Sequence, residues 1–165
     1  MASRPANGRR SLSRDLRGAH PAPNEGGPAR DHVFDATALL CVLFAEEGAD
    51  QVQHLLPRSL VSTVNYHEVL AKLAELGVAL AEARAMVDEL GVGIVAVDRK
   101  QAEVRGALRN DAGGKELSLG ERSCLALAKT LGVVAVTTDR DWSRFDHGVT
   151  IKLIRQPIKP NAAGA

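Results

Sequence analysis

From His32 onward, two rhythms of apolar residues alternate along the chain. Short apolar runs, "HVFD", "SLVST", "VGIVAV", "VVAVTT" and "VTIKLI", read as strands. Between them lie stretches with helical spacing. "ATALLCVLFAEE" follows the first run, and "ADQVQHLLP" is a short helix stopped by Pro57. "VNYHEVLAKLAELG" and "LAEARAMVDELG" are helices closed by Gly77 and Gly91. "DRKQAEVRGALRND" takes Asp98 as its N-cap, and "SLGERSCLALAKTLG" precedes the fourth run. Strands alternating with helices predict an α/β domain: a mainly parallel sheet, right-handed crossovers and helices on both faces. In such sheets ligands bind outside the carboxyl ends of the strands.

Composition narrows this picture. A chain of 165 residues can bury one substantial core, and 45% hydrophobic content with only 3% aromatic makes that core Ala, Val and Leu. Cys41 and Cys124 fall inside apolar helical patterns and read as small buried hydrophobes, which fits a reducing cytoplasm. No stretch has the length of a membrane helix, and no signal-peptide core stands near the start.

Charge divides the chain. Residues 1–30 hold six of the 21 basic and two of the 20 acidic residues, a net of +4; residues 31–165 therefore carry 15 against 18, a net of −3. The opening segment, rich in Arg, Ser, Gly and Pro, is expected to be a disordered basic extension, and residues 157–165 a loose tail. The domain between, residues 31–156, is not a basic nucleic-acid binder overall. Any nucleic acid it handles is held by local patches or through metal ions.

The carboxyl edge of the sheet gives the acids a common place. Asp35 ends the first strand and Asp139 follows the fourth, Glu68 lies early in a helix, and Glu121 stands in the first turn of another. In the helix after the second strand, Tyr66, Val69, Leu70, Leu73 and Leu76 form the predicted buried stripe, leaving Asn65, Glu68 and Lys72 on another face. Carboxylates about 4 Å apart repel by about 4 kcal/mol per pair at an effective dielectric near 20. Such a cluster needs protons or a cation. Hard oxygen donors without His or Cys point to Mg²⁺ or Mn²⁺ rather than zinc.

"FDATALL", "VSTVNYHEVLAKL" and "LSLGERSCLALAKTLGVVAVTTDRDW" together resemble the motifs of PIN-domain ribonucleases, and in detail the toxins of bacterial VapBC toxin–antitoxin pairs, from about His32 to Arg155. The resemblance implies metal-dependent endonucleolytic cleavage of RNA, a homodimer and neutralisation by a small cognate antitoxin. It implies Asp35 and Asp139 as direct ligands, Glu68 and Glu121 as direct or water-mediated ones, and Thr37, Asn65 and Thr138 as groups orienting them. The family more often has Asp where this chain has Glu121.

Each residue also has a plainer reading. Asp35 can N-cap a helix, Glu68 can pair with Lys72 four residues on, and Asp139 or Asp141 can serve a turn. Asn65, Thr37 and Thr138 can bond locally. Residues Ser118 to Glu121, Ser-Leu-Gly-Glu, form a capping box, so Glu121 has two candidate jobs. Arg105, Arg109, Lys115 and Arg122 either cradle phosphates or form a wet helical face. A haloacid-dehalogenase phosphatase would need a second Asp where Thr37 stands, and a receiver domain would need adjacent acids after its first strand. The remaining rival is a PIN-like binding module whose acidic pocket grips a partner's Arg or an RNA without cleaving it.

Overall fold

The computed structural model describes residues 29–111, 114–144 and 146–154. Residues 1–28 of the basic extension, residues 155–156 of the expected domain and the 157–165 tail lie outside the described residues. Five strands form one sheet: β1 (His32–Phe34), β2 (Ser59–Ser62), β3 (Gly93–Val95), β4 (Val134–Thr137) and β5 (Ile151–Leu153). Its order is β3-β2-β1-β4-β5 with every pair parallel, so the expected mainly parallel sheet is wholly parallel. The helices are α1 (Ala36–Leu43), α2 (Thr63–Glu75), α3 (Leu80–Glu89), α4 (Arg99–Leu108) and α5 (Leu119–Leu131).

Side chains alternate across the sheet, and the core divides accordingly. Phe34, Val61 and Val136 point to one face and pack with Leu39 of α1, Val69 and Leu73 of α2 and Val87 of α3. Val33, Leu60 and Ala135 point to the other and pack with Leu108 of α4, the apolar side of α5 and the buried Trp142. Helices thus cover both faces, as predicted. Cys41 and Cys124 are both buried, one in each half of the core. Among the described residues no helix is long and apolar enough to cross a membrane.

Two predicted elements differ. The helix after β1 stops at Leu43 because Ala45 takes a left-handed conformation, φ 50°, and Glu46 N–H bonds back to the Cys41 carbonyl at 2.9 Å. That closure normally falls to Gly, so an Ala gives no sign of it. "ADQVQHLLP" forms two 3-10 helices, Ala49–Gln51 and Gln53–Arg58, with Pro57 inside the second rather than ending it. A stretch this short closes i→i+3 turns, such as Leu55 N–H to Val52 O at 2.9 Å. Gly77 and Gly91 end their helices as predicted, at φ 84° and 70°.

The buried stripe of α2 is also shifted. Leu76 is 59% exposed, whereas Asn65, expected on the outer face, is fully buried. At the chain's start, Ala29 and Arg30, counted with the extension, touch the domain: Arg30 Nη1 donates to Ser59 O at 2.8 Å, and Arg58 Nε donates to Ala29 O at 3.2 Å.

β1 sits at the centre of the sheet. From it the chain winds through β2 and β3 with α1, α2 and α3 on one face, then reaches β4 through α4 and α5 on the other. The winding therefore reverses between β1 and β4. Their carboxyl ends border the crevice where this fold class binds ligands.

Candidate functional site

Asp35 leaves the end of β1 into that crevice. It holds the N-cap position of α1, yet its side chain makes no cap hydrogen bond. Its carboxylate is instead 2% exposed and fully engaged. Oδ1 accepts from Asn65 Nδ2 at 3.0 Å; Oδ2 accepts from the hydroxyls of Thr37 at 2.8 Å and Thr137 at 3.3 Å. Burial pushes the Asp35 carboxyl up to about 6, against the lowering effect of the Thr37 hydroxyl, and the charges of Glu68 and Glu121 push the same way as burial.

Asn65 is the hub of the site. Ser62, the N-cap of α2, accepts from Asn65 N–H at 3.2 Å, while its own hydroxyl donates to Asn65 Oδ1 at 2.8 Å. That second bond fixes which end of the amide faces the acids. Nδ2 then reaches Asp35 Oδ1, Glu68 Oε2 at 3.2 Å and the Gly120 carbonyl at 3.1 Å. One amide so ties β1, α2 and α5 together, and this is why Asn65 lies on the buried side of its helix. Burial raises the pKa of Glu68, and the neighbouring Glu121 charge adds to the rise. Lys72 does not pair with Glu68; it bonds the exposed Glu75 at 3.0 Å.

Glu121 does what the capping box requires and more. Ser118 Oγ accepts from Glu121 N–H at 3.1 Å, and Glu121 Oε2 accepts from Ser118 N–H at 2.5 Å. Its other oxygen, Oε1, accepts from the indole Nε1 of Trp142 at 3.0 Å. Burial pushes its carboxyl up, but the bonds from Trp142 and Ser118 prevail and hold it below the ordinary value. Asp139 faces it across the crevice. Burial, a hydrogen bond with Glu121 and the Glu121 charge raise the pKa of Asp139. Asp139 Oδ1 also accepts from Asp141 N–H at 2.8 Å, so it serves the turn as well; Asp141 itself pairs with Arg144 at 3.3 Å.

Thr137 stands where the sequence suggested Thr138. The fully buried Thr137 hydroxyl contacts Asp35 and accepts from Asp139 N–H at 3.0 Å, whereas Thr138 meets Thr37 Oγ1 through its backbone N–H at 3.4 Å. Ser62, Gly120 and Trp142 are further contributors that motif spacing did not single out. Ser-x-x-Asn at a helix start and the chain's single Trp, next to "TTDRD", were the available signals.

Asp35, Thr37, Glu68, Ser118 and Glu121 line one open cleft of about 560 Å³ that continues along Leu40, Ala71 and Lys72 between α1 and α2. Among the described residues no ion pair involves Asp35, Glu68, Glu121 or Asp139. No three acidic, His or Cys side chains there stand arranged to hold an ion as they lie. The acids form two linked pairs, Asp35 with Glu68 through Asn65, and Glu121 with Asp139 directly. The acids offer hard oxygen donors, which suit Mg²⁺ or Mn²⁺ in chemistry; contrary to the expectation of no His nearby, His67 also lines the cleft, and its charge opposes the rise at Glu68.

Beside this cleft, three guanidiniums gather around residues 114–123. Arg105 donates to Ser123 Oγ at 3.1 Å, Arg109 to Lys115 O at 3.1 Å, and Arg122 to the carbonyls of Leu117 and Gly114. Burial lowers the pKa of Arg122, and the charges of Arg109 and Arg105 lower it further.

The comparisons with known proteins agree with this architecture. The PIN domain matches residues 32–148. Among solved structures, a toxin–antitoxin complex from Klebsiella pneumoniae superposes with a TM-score of 0.59 at 20% identity, covering 76% of this chain and 99% of that one. DNA-bound VapBC from Salmonella typhimurium gives 0.60 at 18% identity, covering 76% and 98%. VapBC-5 from Mycobacterium tuberculosis gives 0.52 at 18%, covering 77% and 99%. No curated protein matches the chain. With a wholly parallel sheet, an acid-lined crevice at its carboxyl edge and a match across most of the described residues, the chain belongs to the PIN-domain family.

Proposed function

We propose that this protein is a metal-dependent endoribonuclease and the toxin of a toxin–antitoxin pair, working in the cytoplasm. The observation that carries the reading is the convergence of four acids from separate segments, Asp35, Glu68 and Glu121 on one cleft and Asp139 beside Glu121, none of them in an ion pair among the described residues although His67 and Lys72 border the same cleft. Burying unpaired carboxylates costs stability, and a protein keeps such an arrangement where the charge is used. The fold it shares with chains of solved toxin–antitoxin complexes supports the biological setting.

Asp35 and Asp139 would hold Mg²⁺ or Mn²⁺ directly, with Glu68 and Glu121 as direct or water-mediated ligands. A divalent ion held there supplies a water of lowered pKa and offsets charge on the scissile phosphate. The chain's own groups do the rest. Thr37, Thr137 and Asn65 fix the Asp35 carboxylate by hydrogen bonds, and Trp142 and the Ser118 N–H fix that of Glu121. Ligands oriented this way lose little freedom on binding an ion. Asp139, whose pKa is raised beside Glu121, would bind an ion as the carboxylate. The partners proposed are an RNA substrate, a second copy of the chain and a cognate antitoxin presenting Arg, whose guanidinium would bridge two carboxylates in the metal's stead.

Two observations favour the non-catalytic alternative: both Glu121 oxygens are already bonded, and no three acids among the described residues stand ready around an ion. Calorimetric titration with Mn²⁺ and an RNA-cleavage assay decide between the two. Nuclease function predicts Mn²⁺ binding, cleavage in Mg²⁺ and none in EDTA. Undiminished cleavage in EDTA, or no cleavage of any RNA by a protein that binds Mn²⁺, would end the metallonuclease reading.

A further inference from the structure

The first turn of α5 passes Glu68 so closely that it has no room for a side chain. A Cβ placed on Gly120 would stand well inside 3.0 Å of Glu68 Oε1, Oε2 and Cδ, a separation that real Cβ atoms essentially never show. The Glu68 carboxylate therefore lies directly over the Cα of Gly120. The same residue's carbonyl accepts from Asn65 Nδ2 at 3.1 Å, and that amide also holds Glu68 Oε2 at 3.2 Å. Gly120 meets Glu68 both directly and through Asn65.

Backbone freedom does not account for a glycine here. Gly120 lies inside α5 and does not adopt a left-handed conformation, in contrast to Gly77, Gly91 and Gly132. Within a helix Gly is less favourable than Ala by about 1 kcal/mol. Gly106 in α4 provides the contrast, since a Cβ there meets nothing within 4 Å. What distinguishes Gly120 is the carboxylate occupying its Cβ space.

We propose that Gly120 is a positioning residue of the acidic site: the absence of its Cβ admits the Glu68 carboxylate between α2 and α5, and any side chain at 120 expels that carboxylate from the crevice. The consequence for metal affinity rests on reading these acids as a metal site; the steric contact does not. Because the displaced atoms are the far end of a flexible side chain, the fold accommodates the added methyl by moving Glu68 rather than by moving a helix.

The test uses the full chain in four forms beside wild type: Gly120→Ala, Gly106→Ala, Glu68→Ala, and Gly120→Ala combined with Glu68→Ala. In EDTA, Gly106→Ala should raise the melting temperature. Gly120→Ala should raise it less, or lower it, and should recover the full gain in the chain that also carries Glu68→Ala. Should Gly120→Ala fail to fold, the double variant should restore folding. An effect of Gly120→Ala that is the same with and without Glu68→Ala, or a double variant that stays unfolded, overturns the contact. In calorimetric titrations with Mn²⁺, Gly120→Ala should bind at least about tenfold more weakly, as for loss of an orienting partner, while Gly106→Ala binds as wild type. Wild-type affinity in Gly120→Ala overturns the positioning role. A wild-type protein that binds no Mn²⁺ overturns the metal reading instead, and the melting comparison in EDTA then still decides the contact.

Discussion

Asp35→Asn in the metal-free protein separates the cost of the acidic site from its use. The Asp35 carboxyl rises from 3.8 to about 6 in the folded state, chiefly because burial disfavours its charge. At about 1.36 kcal/mol per pH unit, keeping that carboxylate ionised at pH 7 costs about 3 kcal/mol of folding stability. The sign follows from proton binding. Between about pH 4 and pH 6 the folded state holds more proton on Asp35 than the unfolded state does, so stability falls as pH rises through this window and levels off above it. Below the unfolded value the cost vanishes. Asn mimics the protonated form: its Oδ1 can accept from Asn65 Nδ2, and its Nδ2 can donate to the hydroxyls of Thr37 and Thr137, which rotate to accept. In EDTA at pH 7, Asp35→Asn should therefore melt above wild type by roughly 3 to 10 °C, the upper end corresponding to the full 3 kcal/mol in a domain of this size. The gap should shrink toward zero near pH 4. Saturating Mn²⁺ should then raise the wild-type melting temperature and leave the variant nearly unmoved, with RNA cleavage lost. Calorimetric or fluorescence melts across pH 4 to 8 provide the measurement. A variant that melts below wild type at pH 7, or a gap that is the same at pH 4 and pH 7, would refute the reasoning.

Other expectations follow from the same geometry. Glu121→Gln keeps one oxygen to accept from Ser118 N–H but turns its amide NH2 toward the buried Trp142 indole N–H, so it should lose about 1 to 3 kcal/mol of stability as well as Mn²⁺ affinity and most cleavage; Glu121→Asp should keep substantial activity, and wild-type cleavage by Glu121→Gln would make this residue a cap alone. Ser118→Ala should cost about 1 kcal/mol in denaturant melts, with only an indirect effect on cleavage. If Arg105, Arg109 and Arg122 contact RNA phosphates, Arg105→Glu/Arg109→Glu should weaken RNA binding by Asp35→Asn protein in EDTA and flatten its salt dependence by about one to two units of slope; an unchanged slope assigns these arginines to loop carbonyls only. Leu76 and Leu80, 59% and 64% exposed at the turn between α2 and α3, should lie in the homodimer contact, so Leu76→Glu/Leu80→Glu should sediment as a monomer at micromolar concentration where wild type sediments as a dimer.

The strand and helix order was legible in the sequence because it depends on local periodicity: apolar alternation at Val33 to Phe34, Leu60 to Val61 and Ala135 to Val136 distributes side chains to the two faces, and Gly77, Gly91, Asp98 and Ser118 mark helix ends through their own backbone and side-chain chemistry. The acids could be assigned to one edge by the same logic, since Asp35 and Asp139 follow strands that run in parallel. Only the tertiary structure decided what each acid touches. That Asn65 faces inward, contrary to the stripe drawn from Tyr66 to Leu76, follows from Ser62 and from acceptors on β1 and α5 that are distant in sequence. That Thr137 rather than Thr138 meets Asp35 depends on which face of β4 its pairing with β1 turns toward the crevice. The space over Gly120 and the Trp142 bond to Glu121 exist only where α5 packs against α2 and against the turn after β4. Periodicity reports which face a residue takes within its own element; the approach of two elements to within a methyl group's width is set by their packing, and the chemistry of this site is decided at that distance.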